Sequence, residues 1–527
     1  MKARIVLEGL GASLLLFSGF QVLVSDYPIH IHPVPVTNLI GGLLVGMAIL
    51  AGLIMAVLYL IDRASPGARR FLLAWFAGLM LWRILDTIVT FVNAWSGQLN
   101  HKIYFWEPIR NPVCLTILAA ALLCAWIAPR IADQTITAVR LMVAACAFAF
   151  VPIIPHTVKA MRLRPVTRGT VAVNPDPRLP GAAGNRIVWI MFDELSYDQT
   201  FDHQQPGIDL PAFHHFRNES FSFSDIRPAG FYTEHIIPSI LMGREVETLR
   251  MTAEGQLLYR TKGSKQFRQF DERDTLFNTA RSEGWSTGLV GWLIPYCRFM
   301  APVLDSCFWN RNDASLLEPY GASEDKSMLA NSAAIPVWAW ANISGDMREE
   351  NAEHMVNYEE IMVHAETLIG DGRLRFLYIH LPVPHPPGIY DRRSRRLRPG
   401  GSYLDNLALA DQAAGTLLNE IAQAPEAGRT TVIISSDHSF RISLWRNTAG
   451  SWTDEDEAAT RGKFDDRPVL MIRFPGESSG PVISASFDEM LEHGILDEML
   501  RGQMGSAAEM NEFLKKNGVG MGAQAGR

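Results

Sequence analysis

The sequence predicts two parts: an α-helical membrane domain with about five transmembrane helices, followed by an α/β domain whose mostly parallel sheet is covered by helices. Residues 1–155 consist mostly of apolar runs of about 20 residues, the length that crosses a bilayer as a helix. From residue 185 onward, strand-like apolar runs alternate with helix-like segments, a pattern typical of an α/β sheet with helices on both faces. A chain of 527 residues is long enough for both parts.

The apolar part contains five candidate spans, at residues 5–24, 39–61, 71–95, 112–128 and 138–155. The first lacks a small-residue cleavage signature before Asp26, so we expect it to be retained rather than removed as a signal peptide. Basic residues between the second and third spans, and between the fourth and fifth, favour a cytoplasmic position for those loops. An odd number of spans then places the α/β domain on the extracytoplasmic (periplasmic) side, although basic residues at 159–168 run against this orientation.

The cysteines agree with that orientation. Three of the five, Cys114, Cys124 and Cys146, fall within apolar spans, and only Cys297 and Cys307 lie in the α/β part. These two are ten residues apart around a turn-like segment. They are therefore candidates for a disulfide in an oxidising compartment, with two buried thiols as the alternative.

Composition and periodicity divide the rest of the chain. Residues 156–184 are rich in Pro and Gly and lack periodicity, which predicts a linker. The α/β domain is expected at 185–505, and residues 506–527 are expected to form a flexible tail. Within the domain, strands are predicted at 187–192, 286–292, 375–381, 431–436 and 468–474, and helices at 351–369 and 403–422.

Two of the predicted strands end in metal-binding side chains. Asp193 and Glu194 follow the first strand, and Asp437 and His438 follow the strand at 431–436. Because the carboxyl ends of parallel strands meet at one edge of a sheet, we expect these residues to lie together. Carboxylates with an imidazole suit a divalent metal ion, and zinc and manganese both remain open. One such pair alone would more often be a helix cap, but two pairs favour a metal site.

Thr233 precedes an apolar stretch that predicts a buried helix. A Thr hydroxyl becomes a nucleophile when its pKa is lowered, for example by coordination to a divalent cation. The alternative is that Thr233 caps the helix, with Glu234 favourably placed near its amino end. Taken alone, the residues around Thr233 favour the cap.

The ordered set of motifs resembles the alkaline phosphatase/sulfatase superfamily, and within it the membrane-anchored lipoteichoic acid synthases and phosphoethanolamine transferases. The resemblance is carried by IMFDELSYD at 190–198, Thr233 with Pro238, CFWNRN at 307–312, YIHLPVPHPPGIYD at 378–391 and SSDHS at 435–439. It implies five membrane helices followed by an extracytoplasmic catalytic domain of the alkaline-phosphatase (sulfatase) type.

The resemblance implies a role for individual residues. Glu194 is the favoured ligand of the metal, with Asp193 as its alternative or helper, and Thr233 is both nucleophile and ligand. Asp437 and His438 match the late ligand pair. His385 is implied as a catalytic residue facing the transferred group. The candidate substrate-binding residues are Trp309, Arg311 and His380 from the motifs, and Arg441 from the stretch that follows them, for which a surface salt bridge is the alternative.

The function that the resemblance implies is a membrane-anchored, metal-dependent transferase. It would take a phosphoglycerol or phosphoethanolamine headgroup from a phospholipid donor, through a phospho-threonine intermediate, to an envelope glycan or lipid-linked acceptor. The alternatives are a sulfatase-like phosphodiesterase or sulfuric ester hydrolase that uses water, and an inactive envelope interaction protein.

Three further observations bear on this choice. Ser439 stands where the family usually has Gly, which places any second-metal role of that region in question. The sulfatase signature, Cys or Ser followed two residues later by Pro and then Arg, is absent around Thr233 and argues against formylglycine chemistry. A net charge of −7 gives no indication of a nucleic-acid partner.

Overall fold

The computed structural model describes residues 3–16, 37–96, 112–151, 154–155, 184–251, 256–310, 326–334, 337, 348–446, 451–461 and 465–519. The predicted linker up to residue 183 and the candidate Arg311 lie outside these ranges.

The N-terminal part is helical. Its helices are α1 (Ala3–Leu16), α2 (Thr37–Asp62), α3 (Pro66–Ser96), α4 (Pro112–Ile127) and α5 (Pro129–Cys146). In the described residues, three helical stretches are long and apolar enough to cross a membrane: Gly41–Asp62, Pro66–Ile88 and Pro129–Ala149. Val113–Ile127 is apolar but shorter, so the number of five spans stays a prediction. Large apolar side chains on α2 such as Leu53 and Leu60 are exposed, as expected of a surface that faces lipid.

A charged network inside this bundle was not foreseen. Glu8 of α1 is fully buried, and its two carboxylate oxygens accept hydrogen bonds from Arg140 of α5 at 3.0 and 2.6 Å. Arg4 donates a further bond of 2.6 Å to Glu8. The pair links helix α1 to helix α5.

The strands of the α/β part are, in chain order, β1 (Arg186–Asp193), β2 (Phe221–Phe223), β3 (Ile226–Arg227), β4 (Val246–Met251), β5 (Leu257–Thr261), β6 (Arg268–Gln269), β7 (Thr287–Trp292), β8 (Ser306–Asn310), β9 (Phe376–Pro384), β10 (Gly388–Asp391), β11 (Arg396–Gly401), β12 (Thr430–Ser436), β13 (Leu470–Arg473), β14 (Val482–Ile483) and β15 (Phe487–Asp488).

Its helices are α6 (Pro211–Asn218), α7 (Thr233–Met242), α8 (Leu276–Ser282), α9 (Tyr296–Phe299), α10 (Met328–Ser332), α11 (Arg348–Gly370), α12 (Tyr403–Gln423), α13 (Ile442–Trp445), α14 (Asp454–Thr460), α15 (Leu491–Leu500) and α16 (Ala507–Lys516). All five predicted strands and both predicted helices are present, so the predicted fold class is confirmed.

The central sheet has eight strands in the order β14-β2-β13-β12-β1-β9-β7-β8, and β13 runs against the others. Strand β1 is buried along its whole length because the sheet is covered on both faces, which explains its unbroken apolar sequence. Its side chains alternate between two cores: Val188 and Phe192 pack with α11 and α12, whereas Trp189 packs with α7, α8 and α15.

Two details correct or confirm the sequence analysis. The predicted flexible tail is wrong over Ala507–Lys516, because this segment is a helix that buries Met510 and Leu514 in the second core. Of the two alternatives for Cys297 and Cys307, the structure shows the disulfide, which joins α9 to the edge strand β8.

The two parts of the chain touch at one end of α2. The short helix α10, from the long connection after β8, packs across Gly41 and Gly42, where side chains would collide with Met328 and Asn331. The Asn331 side-chain amide donates to the carbonyl oxygen of Asn38 at 3.4 Å. The α/β domain is therefore in direct contact with a candidate membrane span.

Candidate active site

Most of the predicted site residues that the structure describes lie together near the carboxyl ends of adjacent strands. Strands β1 and β12 are parallel, with Phe192 opposite Ser436, so the residues that follow each strand are neighbours. Strand β9 lies on the other side of β1 and places His380 opposite Met191. Thr233 is the first residue of α7, whose amino end carries the positive pole of the helix dipole.

The Thr233 hydroxyl faces acidic and basic groups rather than its own helix. It lies 3.5 Å from Asp193 Oδ2 and 3.1 Å from His438 Nε2, and Thr233 is almost fully buried. The residue at the cap position is Tyr232, and no side chain caps α7. The structure therefore does not have the helix cap that the sequence alone favoured.

Asp193 and Asp437 form the acidic centre of the site. Both are fully buried, and one Asp437 oxygen accepts the backbone N–H groups of Glu194 and His438 at 3.2 and 2.9 Å. In the described part of the chain, Asp193 Oδ1 and Asp437 Oδ2 have no hydrogen-bond partner. Burial raises the pKa of Asp437 to about 8 and that of Asp193 well above its usual value, because each charged form lacks solvation.

These orphaned oxygens fit a bound cation. One ligand atom from each of Asp193, Asp437 and His438 lies within 4.8 Å of the others. A second group of the same kind consists of Asp193, Glu194 and His385. Two carboxylates, an imidazole and a hydroxyl suit a divalent metal ion, in keeping with the acidic and His cluster of a metal-dependent enzyme.

Ser439, the departure from the family pattern, orients His438. The carbonyl oxygen of Ser439 lies 3.0 Å from His438 Nδ1, so the proton resides on Nδ1 and the lone pair of Nε2 faces Thr233 and Asp437. Burial, followed by the charge of Arg441, lowers the pKa of His438 well below its usual value. The imidazole is therefore a neutral ligand or base.

Glu194 and Arg441 form a buried ion pair. Arg441 Nε donates to Glu194 Oε1, and Trp445 Nε1 lies 2.8 Å from both carboxylate oxygens. Arg441 is 6% exposed, so the surface salt bridge considered from the sequence is not what the structure shows. Burial lowers the pKa of Arg441, but the carboxylates of Glu194 and Asp193 outweigh it and leave the pKa above its usual value.

His385 lies among aromatic rings. Its imidazole is 4.9 Å from the ring of Trp445 and 5.2 Å from that of Trp292, measured between centroids. His385 Nδ1 has no hydrogen-bond partner in the described residues. Burial first, and then the positive charge of Arg441, lower the pKa of His385 well below its usual value, so the ring is neutral near pH 7.

His380 points at the acidic centre. Its Nδ1 is 3.0 Å from the hydroxyl of Tyr296, and its Nε2 is 3.6 Å from Asp193 Oδ2. Burial lowers the pKa of His380 to about 4. Its geometry places it beside Asp193 rather than in the open part of the site.

The structure does not bring Trp309 together with these groups. Trp309 is buried in the second core on the edge strand β8, and no described contact joins it to Thr233. Arg311 lies outside the described residues. The substrate-binding roles of both residues stay predictions.

Several residues that shape the site were missed. Trp445, Trp292 and Tyr296 contact Glu194, His385 and His380, respectively. Trp445 had a signal, because it stands four residues after Arg441 and so on the same helical face. Trp292 is the last residue of the predicted strand at 286–292 and Tyr296 follows it by four residues, so only their place at the carboxyl end of that strand could have pointed to them.

Comparison with known proteins places this geometry in a family. No curated protein sequence matches the chain. Among solved structures, the lipoteichoic acid synthase LtaP from Listeria monocytogenes is 10% identical, with a TM-score of 0.37 over 63% of this chain and 76% of that chain. The phosphonate monoester hydrolase of Agrobacterium radiobacter is 13% identical, with a TM-score of 0.36 over 60% and 73%.

A third solved structure, the PsFucS1 sulfatase from Pseudoalteromonas sp., is 12% identical, with a TM-score of 0.38 over 61% of this chain and 68% of that chain. The sequence model of the Sulfatase family matches residues 185–484, which is more than half of the chain and contains every site residue described above. The chain therefore belongs to the sulfatase family.

Proposed function

We propose that the protein is a membrane-anchored, metal-dependent transferase that moves a phosphoglycerol or phosphoethanolamine headgroup from a phospholipid to an envelope acceptor. The observation that carries this proposal is the placement of Thr233. Its buried hydroxyl lies 3.1 Å from His438 Nε2 and 3.5 Å from Asp193 Oδ2, at the amino end of α7. A hydroxyl among such groups is set up as a nucleophile rather than as a structural cap.

Asp193, Asp437, His438 and the Thr233 hydroxyl would hold the divalent ion, zinc or manganese. When bound, the ion supplies Lewis-acid chemistry, which lowers the pKa of a hydroxyl and polarises a phosphoryl oxygen. The helix dipole at Thr233 favours the negative charge of the phosphodiester in the same place.

The reaction follows in two displacements. Thr233 Oγ1 gives its proton to a water molecule at the site and attacks phosphorus; the bond between phosphorus and the diacylglycerol oxygen breaks, and that oxygen takes a proton back from water. An acceptor hydroxyl then attacks the phospho-threonine, the bond between phosphorus and Thr233 Oγ1 breaks, and the acceptor's proton is passed through water to Thr233 Oγ1. His385 faces the group as a neutral imidazole and donates a hydrogen bond, while the guanidinium of Arg441 stabilises the developing negative charge.

The surroundings of the site support a role at the membrane. The α/β domain contacts α2, a candidate span, and the disulfide between Cys297 and Cys307 is of the kind that persists in an oxidising compartment. The contact supports a site close to the bilayer surface, where donor and acceptor would lie, and the disulfide supports an extracytoplasmic catalytic domain.

The test is intact mass spectrometry of the full-length protein in lipid nanodiscs that contain either phosphatidylglycerol or phosphatidylethanolamine. We expect a mass increase on the wild type whose size identifies the headgroup. Thr233→Ala should lose the adduct and slow diacylglycerol release by at least about a thousand-fold, because the nucleophile is gone. Thr233→Ser is the matched control, since it keeps a hydroxyl at the same place.

Two results would contradict the proposal. Diacylglycerol release by Thr233→Ala at the wild-type rate would exclude Thr233 as the nucleophile. Release of free headgroup phosphate at the same rate with and without an acceptor glycan would instead identify a hydrolase that uses water.

A further inference from the structure

We propose that the hairpin formed by β10 and β11 is a second membrane contact, which binds anionic lipid headgroups beside the active site. The part of the hairpin that makes this contact is its basic turn, residues 391–400. The contact does not depend on the proposed transfer reaction, because binding to a bilayer needs no turnover.

The basic turn concentrates positive charge in an acidic chain. Residues 391–400 contain five arginines and one aspartate, which give a net charge of +4, whereas the whole chain carries −7. The remaining residues together therefore carry −11. The positive charge is thus a local property of this turn, and such a cluster attracts anionic lipids.

Most of these arginines have no counter-ion in the protein. Arg393, Arg395 and Arg396 are exposed, and none of the three forms an ion pair with another described residue. Arg398 is also exposed, and its Nη1 lies 3.8 Å from Asp391 Oδ2. The one carboxylate of the turn therefore faces one arginine and leaves three cations for an external partner.

Arg392 differs from the other arginines, because it anchors the turn. Its Nη1 donates to Asp405 Oδ1 at 2.7 Å and to Glu455 Oε2 at 2.9 Å. Asp405 and Glu455 lie in the first turns of α12 and α14, respectively. The base of the hairpin is thereby fixed to two helices, while the side chains at its tip remain exposed.

One buried side chain joins the hairpin to the active-site loop. Asn406 Nδ2 donates to the carbonyl oxygens of His385 and Pro387 at 2.9 and 3.2 Å, and Asn406 Oδ1 accepts the N–H of Ile389 at 2.8 Å. Asn406 is fully buried, so water does not compete for these bonds. A surface bound by the hairpin is therefore held beside the loop that carries His385.

The hairpin and the contact with α2 arise at the same edge of the central sheet. Strands β7, β8 and β9 are parallel, so the connections that follow β8 and β9 both leave the sheet at its carboxyl edge. Helix α10, which contacts α2, belongs to the connection after β8, and the hairpin follows β9. Helix α11 contacts both strands of the hairpin. This shared edge favours a bilayer over a soluble polyanion as the partner.

The surface of the basic turn has room for a lipid headgroup. An open cavity of about 450 Å³ is lined by Asp391, Ser394, Arg396, Leu397 and Arg398. Guanidinium groups donate paired N–H bonds to phosphate oxygens, which makes two arginines in one cavity suitable for a headgroup phosphate. Because these side chains are exposed, salt should weaken the attraction.

Photo-cross-linking of the full-length protein in lipid nanodiscs tests the contact. The nanodiscs contain phosphatidylcholine with about 30 mol% phosphatidylserine as the anionic lipid, and a trace of either lipid carries a diazirine next to its headgroup. We expect cross-links on residues 391–400 to be at least about tenfold more frequent with phosphatidylserine than with phosphatidylcholine. Sodium chloride at about 0.5 M should remove most of this difference.

The triple variant Arg393→Gln/Arg395→Gln/Arg396→Gln removes the unpaired charges of the turn. Its cross-links to phosphatidylserine on residues 391–400 should fall at least about tenfold, because the attraction of three basic side chains is lost. Cross-links on α2 should stay at the wild-type level and serve as the internal reference. Thermal unfolding verifies that the variant folds.

The matched control is Lys265→Gln/Lys515→Gln/Lys516→Gln, which removes the same charge from exposed positions outside the hairpin. It should keep the wild-type cross-links on the basic turn. This control separates a contact made by the turn from an effect of net charge alone.

Equal cross-linking of the turn by the two lipids, or retention of the cross-links in the triple variant, would overturn the inference. Absence of cross-links from the turn would overturn it as well, and binding of polyphosphate through the same arginines would then identify a soluble polyanion as the partner. None of these results touches the proposed transferase, because the Thr233 adduct tests that proposal separately.

Discussion

Asp411 shows how burial sets the charge of one carboxyl group. It lies on α12 and accepts backbone N–H bonds from Phe213 and Ala212, at 2.8 and 3.3 Å, in the first turn of α6. Only 4% of the residue is exposed. Burial raises the pKa of Asp411 to about 6, while the two N–H groups act in the opposite direction. A capping carboxylate is therefore held where its charged form is poorly solvated.

This pKa predicts a pH dependence of stability. Between about pH 4 and 6 the folded state binds the Asp411 proton more tightly than the unfolded state, whose pKa is near 3.8, so stability falls as the pH rises through this window. Asp411→Asn removes that titration. As the pH rises through this window, the free energy of unfolding of the variant should therefore increase relative to that of the wild type, by about 1.4 kcal/mol for each unit of pKa shift. The apparent melting temperatures of both full-length proteins, recorded from pH 4 to 7, measure this difference in stability. A constant difference between them would contradict the prediction.

At this scale the sequence predicted which residues meet but not how each is used. Asp193, Asp437 and His438 could be placed together because the carboxyl ends of parallel strands share one edge of a sheet, whereas Thr233 was added to them only through the family resemblance. The preference for Glu194 over Asp193 as metal ligand stays a prediction. The partner of Glu194 stands 247 residues later in the chain, and no local pattern connects the two.

The helices and strands that the sequence predicted are mostly the longer ones, in which an apolar run or a periodic pattern extends over enough residues to be recognised. The missed strands β2 and β14, with three and two residues, are too short to carry an alternating pattern, and β8 lies at the edge of the sheet. Helix α16 was missed although it carries a start signal, since Ser506 caps it by accepting the N–H of Glu509. Because the segment lies at the end of the given sequence, it was nevertheless predicted to be a flexible tail.

Helices α1 and α5 depend on one charged pair. Glu8→Ala would leave Arg140 buried without its carboxylate, and we expect a loss of about 3–5 kcal/mol in the stability of the helical part. The double variant Glu8→Leu/Arg140→Met, which replaces both charges with apolar side chains, should recover most of this loss. Thermal unfolding of the full-length protein in detergent tests both variants.

If the double variant unfolds at as low a temperature as Glu8→Ala, the two charges do more than neutralise each other. In that case the bonds from Arg4 to Glu8, and the approach of Arg140 to Asp62, would be the next contacts to examine.

The N-terminal helical part and the α/β part are in contact where α10 crosses α2. A side chain at Gly42 would place its Cβ 2.5 Å from that of Asn331 and 2.9 Å from the carbonyl oxygen of Met328. Gly42→Leu should therefore separate α10 from the membrane helix. Gly52→Leu is the matched control on the same helix, since no atom lies within 4 Å of its Cβ position.

Hydrogen–deuterium exchange of the full-length protein measures this separation. We expect exchange over residues 326–334 to rise in Gly42→Leu and to stay at the wild-type level in Gly52→Leu. Equal exchange in the two variants would mean that the contact does not hold the parts together.

The contact between α10 and α2 also bears on the kinetics of the proposed transferase. A catalytic domain held against a candidate membrane span would sample only the thin layer next to the bilayer, so its encounters with the proposed phospholipid donor would depend on lateral diffusion in two dimensions. Its rate should then follow the mole fraction of donor in the lipid, and dilution of the whole suspension at constant lipid composition should leave turnover per enzyme unchanged.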